Sequence, residues 1–284
     1  MKLLATALLL GAASPTITAP PPTLKVDPFY EKYVEAAGLP ILSSRAVPDP
    51  ALLTARSLVE GMVRHRPELA RWLVAHGYRI AIMSLGEGTL DLPEQRHWKK
   101  PERDDLRLTR CERKHYDERI GRKSDADYWN NRARGMGGIL TSAGAEDLLG
   151  DPYSRYYGET IFVHEFSHVL LHAIRAIDAP LYARLEAAYA AAKRDGRWTD
   201  EYALTTIDEY WAEGTQTWFE SNRLTVVDGT RILGPKDLKR YDPALYAVLG
   251  KVYGRSHHLA GDPWYRSPMR IPLGPIPKNT AEVC

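Results

Sequence analysis

Two histidines and a glutamate stand at a spacing that suits a divalent metal ion. Residues 164–168 read His-Glu-Phe-Ser-His, in a stretch with helical periodicity that follows Gly158. In a helix, His164 and His168 project from the same face with Cβ atoms about 5–6 Å apart. Zinc binds imidazole nitrogens at about 2.0–2.1 Å, so one ion can bridge both rings. Glu165 then lies beside the ion, where its carboxylate can accept a proton from a zinc-activated water.

A buried helix with two hydrogen-bonded histidines is the alternative interpretation, and a third ligand decides between the two. The metzincin pattern is excluded, because it needs a histidine and a glycine where Ile174 and Leu171 stand. His172 continues the four-residue spacing, but a metal held by His164 and His168 has no straight path one turn further along the same helix. We interpret His172 as a packing residue or as a partner of a ligand.

A later segment with helical periodicity, residues 207–220, carries a polar stripe between aromatic side chains. The stripe consists of Glu209, Glu213, Gln216 and Glu220. Buried carboxylates are costly unless they are paired or bind a metal. A zinc ion bound by two histidines lacks one carboxylate of a hydrolytic His₂Glu set. The stripe therefore predicts the source of a third ligand, whereas a half-exposed acidic face is the alternative.

The two segments together resemble the gluzincin zinc peptidases, most specifically the catalytic domain of anthrax toxin lethal factor and its relatives. Those proteins combine His-Glu-Phe-small-His on one helix with Glu-aromatic-aromatic-Ala-Glu on a later one, as residues 164–168 and 209–213 do here. The resemblance implies that Glu209 is the third ligand and that Glu213 holds a ligand imidazole in its tautomer. It also implies that Tyr202, seven residues before Glu209, stabilises the oxyanion or protonates the leaving group.

A looser resemblance extends to uncharacterised exported bacterial and fungal proteins with the same zinc motifs. It rests on residues 81–83, 134–138 and 241–246. The implied fold is an α+β, zincin-like metallohydrolase domain, mostly helical with a small mixed sheet, which binds one Zn²⁺ per chain. By the same analogy, an edge strand near Gly137 and Gly138 aligns an extended peptide by strand addition.

Periodicity elsewhere places the remaining elements. Helical spacing predicts helices over residues 30–37, 50–75, 159–175, 180–193, 207–220 and 243–252, and strand patterns occupy 78–84 and the end of the glycine-rich turn at 134–140. Thr205 or Thr206 is the expected cap of the helix at 207. Residues 87–127 are polar and without period, which predicts long surface connections. A helix pair followed by a strand indicates an α+β or mixed layer arrangement.

The first residues resemble an export signal in composition and order. Lys2 precedes an apolar run at residues 3–10, which is too short to span a bilayer, and small residues then allow cleavage after Ala13 or Ala19. A short N-terminal core helix or a membrane anchor is the alternative. We therefore expect residues 1–19 to form a signal peptide and cleavage region, and the mature protein to be secreted or periplasmic.

Length and charge restrict the domain and partner classes. The 284 residues carry 38 basic and 36 acidic side chains, a formal net charge of +2. Nucleic acid is a disfavoured partner, because phosphate binding needs a basic patch, and we expect a monomer without a membrane span. One zincin-like domain is predicted over residues 20–284, with an N-terminal helical part at about 28–77 and a zinc-binding core at about 78–253. Cys111 and Cys284 either bridge or stay unpaired.

The residues thus predict an exported zinc hydrolase, foremost a metallopeptidase acting on a peptide or polymeric substrate. Two alternatives stay open: a zinc hydrolase with a non-peptide substrate such as a glycan, and a non-catalytic binding protein with a closed structural zinc site. Glu165 and Tyr202 favour an enzyme, because a structural site needs neither. His257 and His258 are either an exposed loop pair or part of the cleft lining.

Overall fold

A five-stranded mixed sheet crosses the part of the chain that the computed structural model describes, residues 16–108, 110–227 and 229–276. Its strands are β1 (Lys32–Ala36), β2 (Leu39–Ser43), β3 (Arg79–Met83), β4 (Gly135–Met136) and β5 (Leu140–Gly144). Their order in the sheet is β1-β2-β3-β5-β4. Strands β2, β3 and β5 run parallel, whereas β1 and β4 pair antiparallel at the two margins.

Helices cover much of the remaining described chain. They are α1 (Asp49–Val63), α2 (Pro67–Ala75), α3 (Arg110–Lys114), α4 (Asp125–Arg132), α5 (Ala145–Leu148), α6 (Ile161–Ile177), α7 (Ala179–Arg194), α8 (Ile207–Trp218), α9 (Pro235–Tyr241) and α10 (Pro243–Tyr253). A small separate hairpin joins β6 (Thr225–Val227) to β7 (Thr230–Ile232). This composition confirms the predicted α+β class, mostly helical with a small mixed sheet.

Helix α6 lies in the interior because its apolar side chains cover most of its circumference. Phe162, Phe166 and Leu170 are at most 1% exposed. Its first turn lacks a side-chain cap of its own, and the buried carboxylate of Asp147 in α5 instead accepts from the backbone N–H of Phe162 at 3.4 Å. A carboxylate at this end also suits the helix dipole. The polar face of α6 lies against α8.

Helix α8 begins at a capped turn and is packed on nearly all sides. The hydroxyl of Thr206 accepts from the backbone N–H of Glu209 at 3.1 Å, so of the two predicted cap residues Thr206 is the one that caps. Tyr210, Trp211 and Trp218 are almost wholly buried. The helix ends at Trp218, two residues before Glu220, which has a left-handed φ of 58°.

One buried carboxylate ties α8 and α10 to the loop that precedes α8. Asp242 Oδ2 accepts from Nε1 of Trp198 at 3.0 Å and from the hydroxyl of Tyr210 at 2.7 Å, while Oδ1 accepts from the backbone N–H of Leu245. Removing this carboxylate would leave two buried donors without an acceptor, which costs about 1–3 kcal/mol for each group. The network fixes the loop between α7 and α8.

The predicted helix over residues 30–37 is wrong. This segment forms β1, which pairs with β2 in register from Lys32 opposite Ser43 to Ala36 opposite Leu39. The two residues between the strands, Ala37 and Gly38, both have positive φ, as a two-residue hairpin turn requires. Local spacing was misleading here because strand pairing, not helical periodicity, buries these side chains.

Most of the other predicted elements agree with the structure, with two further differences. The helix predicted over 50–75 is divided into α1 and α2, because Arg66 before Pro67 leaves helical geometry, with φ −131° and ψ 64°. Residues 87–127, predicted as surface connections, contain α3, a π-helical turn at Asp117–Gly121 and the start of α4. These short elements bury side chains such as Leu108 in a small cluster of their own.

Two predictions fall wholly or mainly outside the described residues. The signal peptide and cleavage region covers residues 1–19, of which 1–15 are not described, and a bridge from Cys111 would end at Cys284, which is not described either. Within the described chain, no helix combines the length and the apolar character needed to cross a membrane.

Candidate metal centre

Three side chains from α6 and α8 converge on one point. His164, His168 and Glu209 each place one donor atom within 4.8 Å of the other two. Oε2 of Glu209 is 2.9 Å from Nε2 of His164 and 3.6 Å from Nε2 of His168. Two ligands of a tetrahedral zinc ion with bonds of about 2.0–2.1 Å lie about 3.3 Å apart. The donor types and their separations therefore fit a zinc ion.

The side-chain amide of Gln216, a member of the polar stripe, fixes the orientation of the His164 imidazole. Oε1 of Gln216 is 3.0 Å from Nδ1 of His164, and Nε2 of Gln216 donates to the carbonyl of Thr160 at 3.2 Å. Because the amide nitrogen is occupied by Thr160, its oxygen must face His164, whose Nδ1 then carries the hydrogen. This arrangement directs Nε2 of His164 toward Glu209, as a metal ligand requires.

Glu213 lies one turn after Glu209 and contacts the same ligand at longer range. Its Oε1 is 3.5 Å from Nδ1 of His164, and its Oε2 accepts from Nδ2 of Asn222 at 2.9 Å. Burial raises the pKa of Glu213 to about 7, although His164 and Asn222 favour the ionised form. The resemblance implied that Glu213 orients a ligand; the hydrogen-bonding position is occupied by Gln216, with Glu213 beside it.

The charges around the three donors favour a cation. Burial lowers the pKa of His164, but its hydrogen bond to Glu209 and the charges of Glu165 and Glu213 outweigh burial and raise the pKa to about 10. Burial raises the pKa of Glu209, but its hydrogen bond with His164 and the positive charges of His164 and His168 outweigh burial and hold the pKa below its usual range. Glu209 is therefore ionised, as a carboxylate ligand must be.

Glu165 lies between α6 and the margin strand β4. Burial raises the pKa of Glu165, although the charges of His164 and His168 and the nearby backbone N–H of Gly137 favour the ionised form. A Cβ on Gly135 would lie 3.1 Å from Cγ of Glu165, and a Cβ on Gly137 would lie 2.8 Å from the carbonyl oxygen of Glu165. Glycine at these positions lets β4 and the residue after it approach α6 closely.

Tyr202 reaches the centre from a single 3₁₀ turn, Tyr202–Leu204, that precedes α8. Its ring lies nearly parallel to that of His164, with 6.4 Å between centroids. Burial, the charge of Glu209 and a hydrogen bond to that carboxylate raise the pKa of Tyr202 above its usual range. The hydroxyl therefore keeps its proton and acts as a donor. The turn is anchored by Tyr189, whose hydroxyl donates to the carbonyl of Leu204 at 2.8 Å.

Four other residues of the sequence analysis lie outside the metal group of the described chain. His172 directs Nδ1 to the hydroxyl of Tyr78 at 3.2 Å. Glu220, the last member of the polar stripe, lies beyond the end of α8 and is 3.6 Å from Nε2 of His258. His257 is 3.2 Å from a backbone carbonyl oxygen at the end of α8. The stripe thus contributes three side chains to the centre and not the fourth.

Comparison with known proteins shows a distant likeness to solved structures. No protein-family model matches this chain, and no curated protein sequence matches it. Among solved structures, the chain is similar to the Pro-Pro endopeptidase PPEP-2 from Paenibacillus alvei, at 14% identity and a TM-score of 0.44. The similarity covers 74% of this chain and 96% of that one. A likeness this weak carries no argument about activity, so the function must be argued from the centre itself.

The glycines after β4 allow a paired test of how closely this segment approaches α6. In Gly137→Ala, the new Cβ would lie 2.8 Å from the Glu165 carbonyl oxygen and 3.0 Å from Cβ of His168, whereas the nearest atom to a Cβ on Gly138 is 3.6 Å away. We expect Gly137→Ala to lower the free energy of unfolding by about 1–3 kcal/mol and Gly138→Ala to change it by less than about 0.5 kcal/mol. Thermal unfolding measures both; equal effects would contradict the close approach.

The hydrogen bond from Gln216 to His164 predicts a loss of metal affinity. In Gln216→Met the side chain keeps a similar size but cannot accept from Nδ1, so we expect zinc to bind about 10–100-fold more weakly. Glu220→Gln is the matched control, because Glu220 belongs to the same sequence stripe but lies outside the centre. Competition with a zinc chelator gives both dissociation constants. Unchanged affinity in Gln216→Met would show that this amide does not hold the ligand.

Proposed function

We propose that this protein is an exported zinc-dependent hydrolase of the gluzincin type that cleaves peptide bonds. The observation that carries the proposal is the convergence of His164, His168 and Glu209 with the carboxylate of Glu165 and the phenol of Tyr202 around one point. Three protein donors leave a tetrahedral ion one position for a substrate or water, as in hydrolytic zinc sites. A purely structural zinc site has no use for the last two groups.

Each group has a role that follows from its chemistry. Zinc, when bound, supplies a Lewis acid that polarises a carbonyl and acidifies a water. Glu165 takes the proton of the attacking water and returns it to the leaving amine, a role that a carboxylate with a raised pKa suits. Tyr202 donates its hydroxyl hydrogen to the developing oxyanion. Gln216 keeps His164 in the tautomer that presents Nε2.

The position of Glu165 favours a peptide over other substrates. It lies against β4 at one margin of the five-stranded sheet, and the close approach of Gly135 and Gly137 to Glu165 brings that margin next to the reacting groups. An extended peptide can add to such a margin through backbone hydrogen bonds, with Gly137 and Gly138 beside it. A glycan or an ester has no comparable repeat of donors and acceptors.

The proposal predicts distinct effects for three variants of the mature zinc-loaded protein. Glu209→Ala loses zinc. Glu165→Gln keeps zinc but loses at least about 10²-fold in kcat. Tyr202→Phe keeps zinc and loses about 10²-fold in kcat with little change in KM, because its hydrogen bond forms in the transition state. Zinc content is measured by elemental analysis, and cleavage by mass spectrometry of a diverse peptide library.

Several results would contradict these assignments. Full zinc retention in Glu209→Ala would remove the third ligand. Loss of zinc in a folded Glu165→Gln would make that residue a ligand and not the base. Cleavage of glycans or esters but of no peptide would favour the non-peptide hydrolase.

Export is the second part of the proposal, and the structure bears on where the leader would be removed. Thr18 exchanges two backbone hydrogen bonds with Tyr33 in β1, at 3.0 and 2.7 Å, and Ile17 packs against the main core. Cleavage after Ala19 would discard these contacts, whereas cleavage after Ala13 keeps them. We expect N-terminal sequencing of the exported protein to begin at residue 14; a start at residue 20 would contradict this.

A further inference from the structure

A groove lies where the carboxyl ends of the three parallel strands meet. It consists of two adjoining depressions of about 480 and 360 Å³, which share Leu85, Gly86 and Glu146. The segments after β2, β3 and β5 all contribute to its lining. Crevices outside the carboxyl ends of parallel strands are common places for ligands. We call these two depressions together the strand-end groove.

Large apolar side chains are exposed around the strand-end groove. Tyr153 is 90% exposed, Leu85 70% and Leu149 41%, and each lines one or both depressions. Clustered apolar side chains at a concave surface are typical of a binding site. These residues play no part in the fold's core, because their side chains face outward.

The floor of the groove is polar but internally paired. The guanidinium of Arg134 donates to both carboxylate oxygens of Glu146, at 2.7 and 3.0 Å, and also to the backbone carbonyls of Ser84 and Glu87. Both side chains of the ion pair are at most 10% exposed. A charge that is already compensated has little left for a ligand. The other charged side chains of the lining bond to backbone groups: Arg155 donates to the carbonyl of Asn131, and Glu87, Asp91 and Asp151 accept from backbone N–H groups. The smaller depression, lined by Ala46, Pro48, Leu85 and Leu149, is the part that suits an uncharged, apolar side chain.

The groove lies next to β4, the strand that approaches Glu165. Arg134, part of its lining, is followed directly by Gly135, where a Cβ would lie 3.1 Å from Cγ of Glu165. The backbone N–H of Arg134 donates to the hydroxyl of Tyr156, whose pKa is raised by burial and also by the charge of Glu165. A peptide that lies along β4 is therefore directed toward the groove, because Arg134 immediately precedes the first residue of that strand.

We propose that the strand-end groove binds an apolar side chain of the polypeptide substrate, a few residues away from the bond that is cleaved. The inference rests on the proposed peptidase function and extends it to substrate selection. Its basis is the position of the groove next to β4, the outward-facing Leu85, Leu149 and Tyr153, and the pairing of Arg134 with Glu146 on the floor. A second copy of this chain is the competing occupant.

Two neighbouring residues allow the groove to be altered without disturbing the core. Leu85→Ser removes an exposed apolar contact, and Gly86→Phe fills the groove, because a Cβ there meets no atom within 4 Å. The chain offers a matched pair elsewhere: Leu273 is 97% exposed, Gly274 has equally open space, and neither lines the groove. Leu273→Ser and Gly274→Phe are therefore the controls.

The measurement compares two peptides with one cleavage sequence taken from the library. The short peptide has two residues on each side of the bond, and the long one continues for four more on each side. For Leu85→Ser and Gly86→Phe we expect kcat/KM for the long peptide to fall about five- to tenfold relative to the short one. Binding of the long peptide to each variant combined with Glu165→Gln should weaken by a similar factor, whereas the control variants keep the wild-type ratio.

The possible outcomes separate the groove from the activity. A wild-type long-to-short ratio in both groove variants overturns the proposed groove and leaves the peptidase intact. The proposed groove is also overturned if these variants change from dimer to monomer while the ratio stays the same. That result would identify a second copy of this chain as the occupant. If the wild-type protein cleaves no peptide, the peptidase function fails and the substrate groove with it. Unchanged thermal midpoints confirm that the variants are folded.

Discussion

The packing of α6 against α8 is the contact on which the candidate centre depends. Hydrogen bonds hold the two helices together at three levels along their length. The indole of Trp211 donates to the carbonyl of Ser167. The amide of Gln216 bonds to both Thr160 and His164, and the backbone N–H of Thr160 donates to the carbonyl of Ser221. One of these bonds uses a backbone carbonyl of α6 and two use the backbone of Thr160, the residue before it, so together they fix the axial position of α6 and not only its distance from α8. A metal centre built from both helices needs this precision, because ligands must lie within a few tenths of an ångström of their ideal places.

The sequence could supply the parts of the centre that depend on local geometry. The pairing of His164 with His168 follows from helical spacing alone. That Glu209, with 40 residues between it and His168, meets the two histidines came from a family resemblance, since no local rule sets how two helices cross. Periodicity put Gln216 on the correct face but could not show that it, and not Glu213, reaches Nδ1 of His164. That choice depends on the axial offset of the helices.

The same distinction, between local geometry and long-range packing, separates the fold elements that were predicted from those that were not. Helices with sustained apolar periodicity, such as α6 and α8, could be predicted directly from the sequence, and α8 also has its Thr206 cap. The hairpin of β1 and β2 could not, because its spacing also fits a helix and only pairing across Ala37 and Gly38 distinguishes the two. The strand-end groove could not be predicted for a related reason: it is formed by the segments after β2, β3 and β5 and the one before β4, which lie far apart in sequence and look like ordinary connections.

The shortness of β4 has a consequence for how the protein meets other chains. An unpaired sheet margin is a template for unwanted association, and proteins limit that hazard by keeping such strands short. β4 has only the two residues Gly135 and Met136, which offer a visiting chain few backbone bonds. An unrelated extended chain therefore gains little binding free energy by pairing with β4. A chain that binds there must gain most of its affinity from other contacts. Its selection then depends on side chains and on the candidate metal centre, and not on the backbone that all polypeptides share.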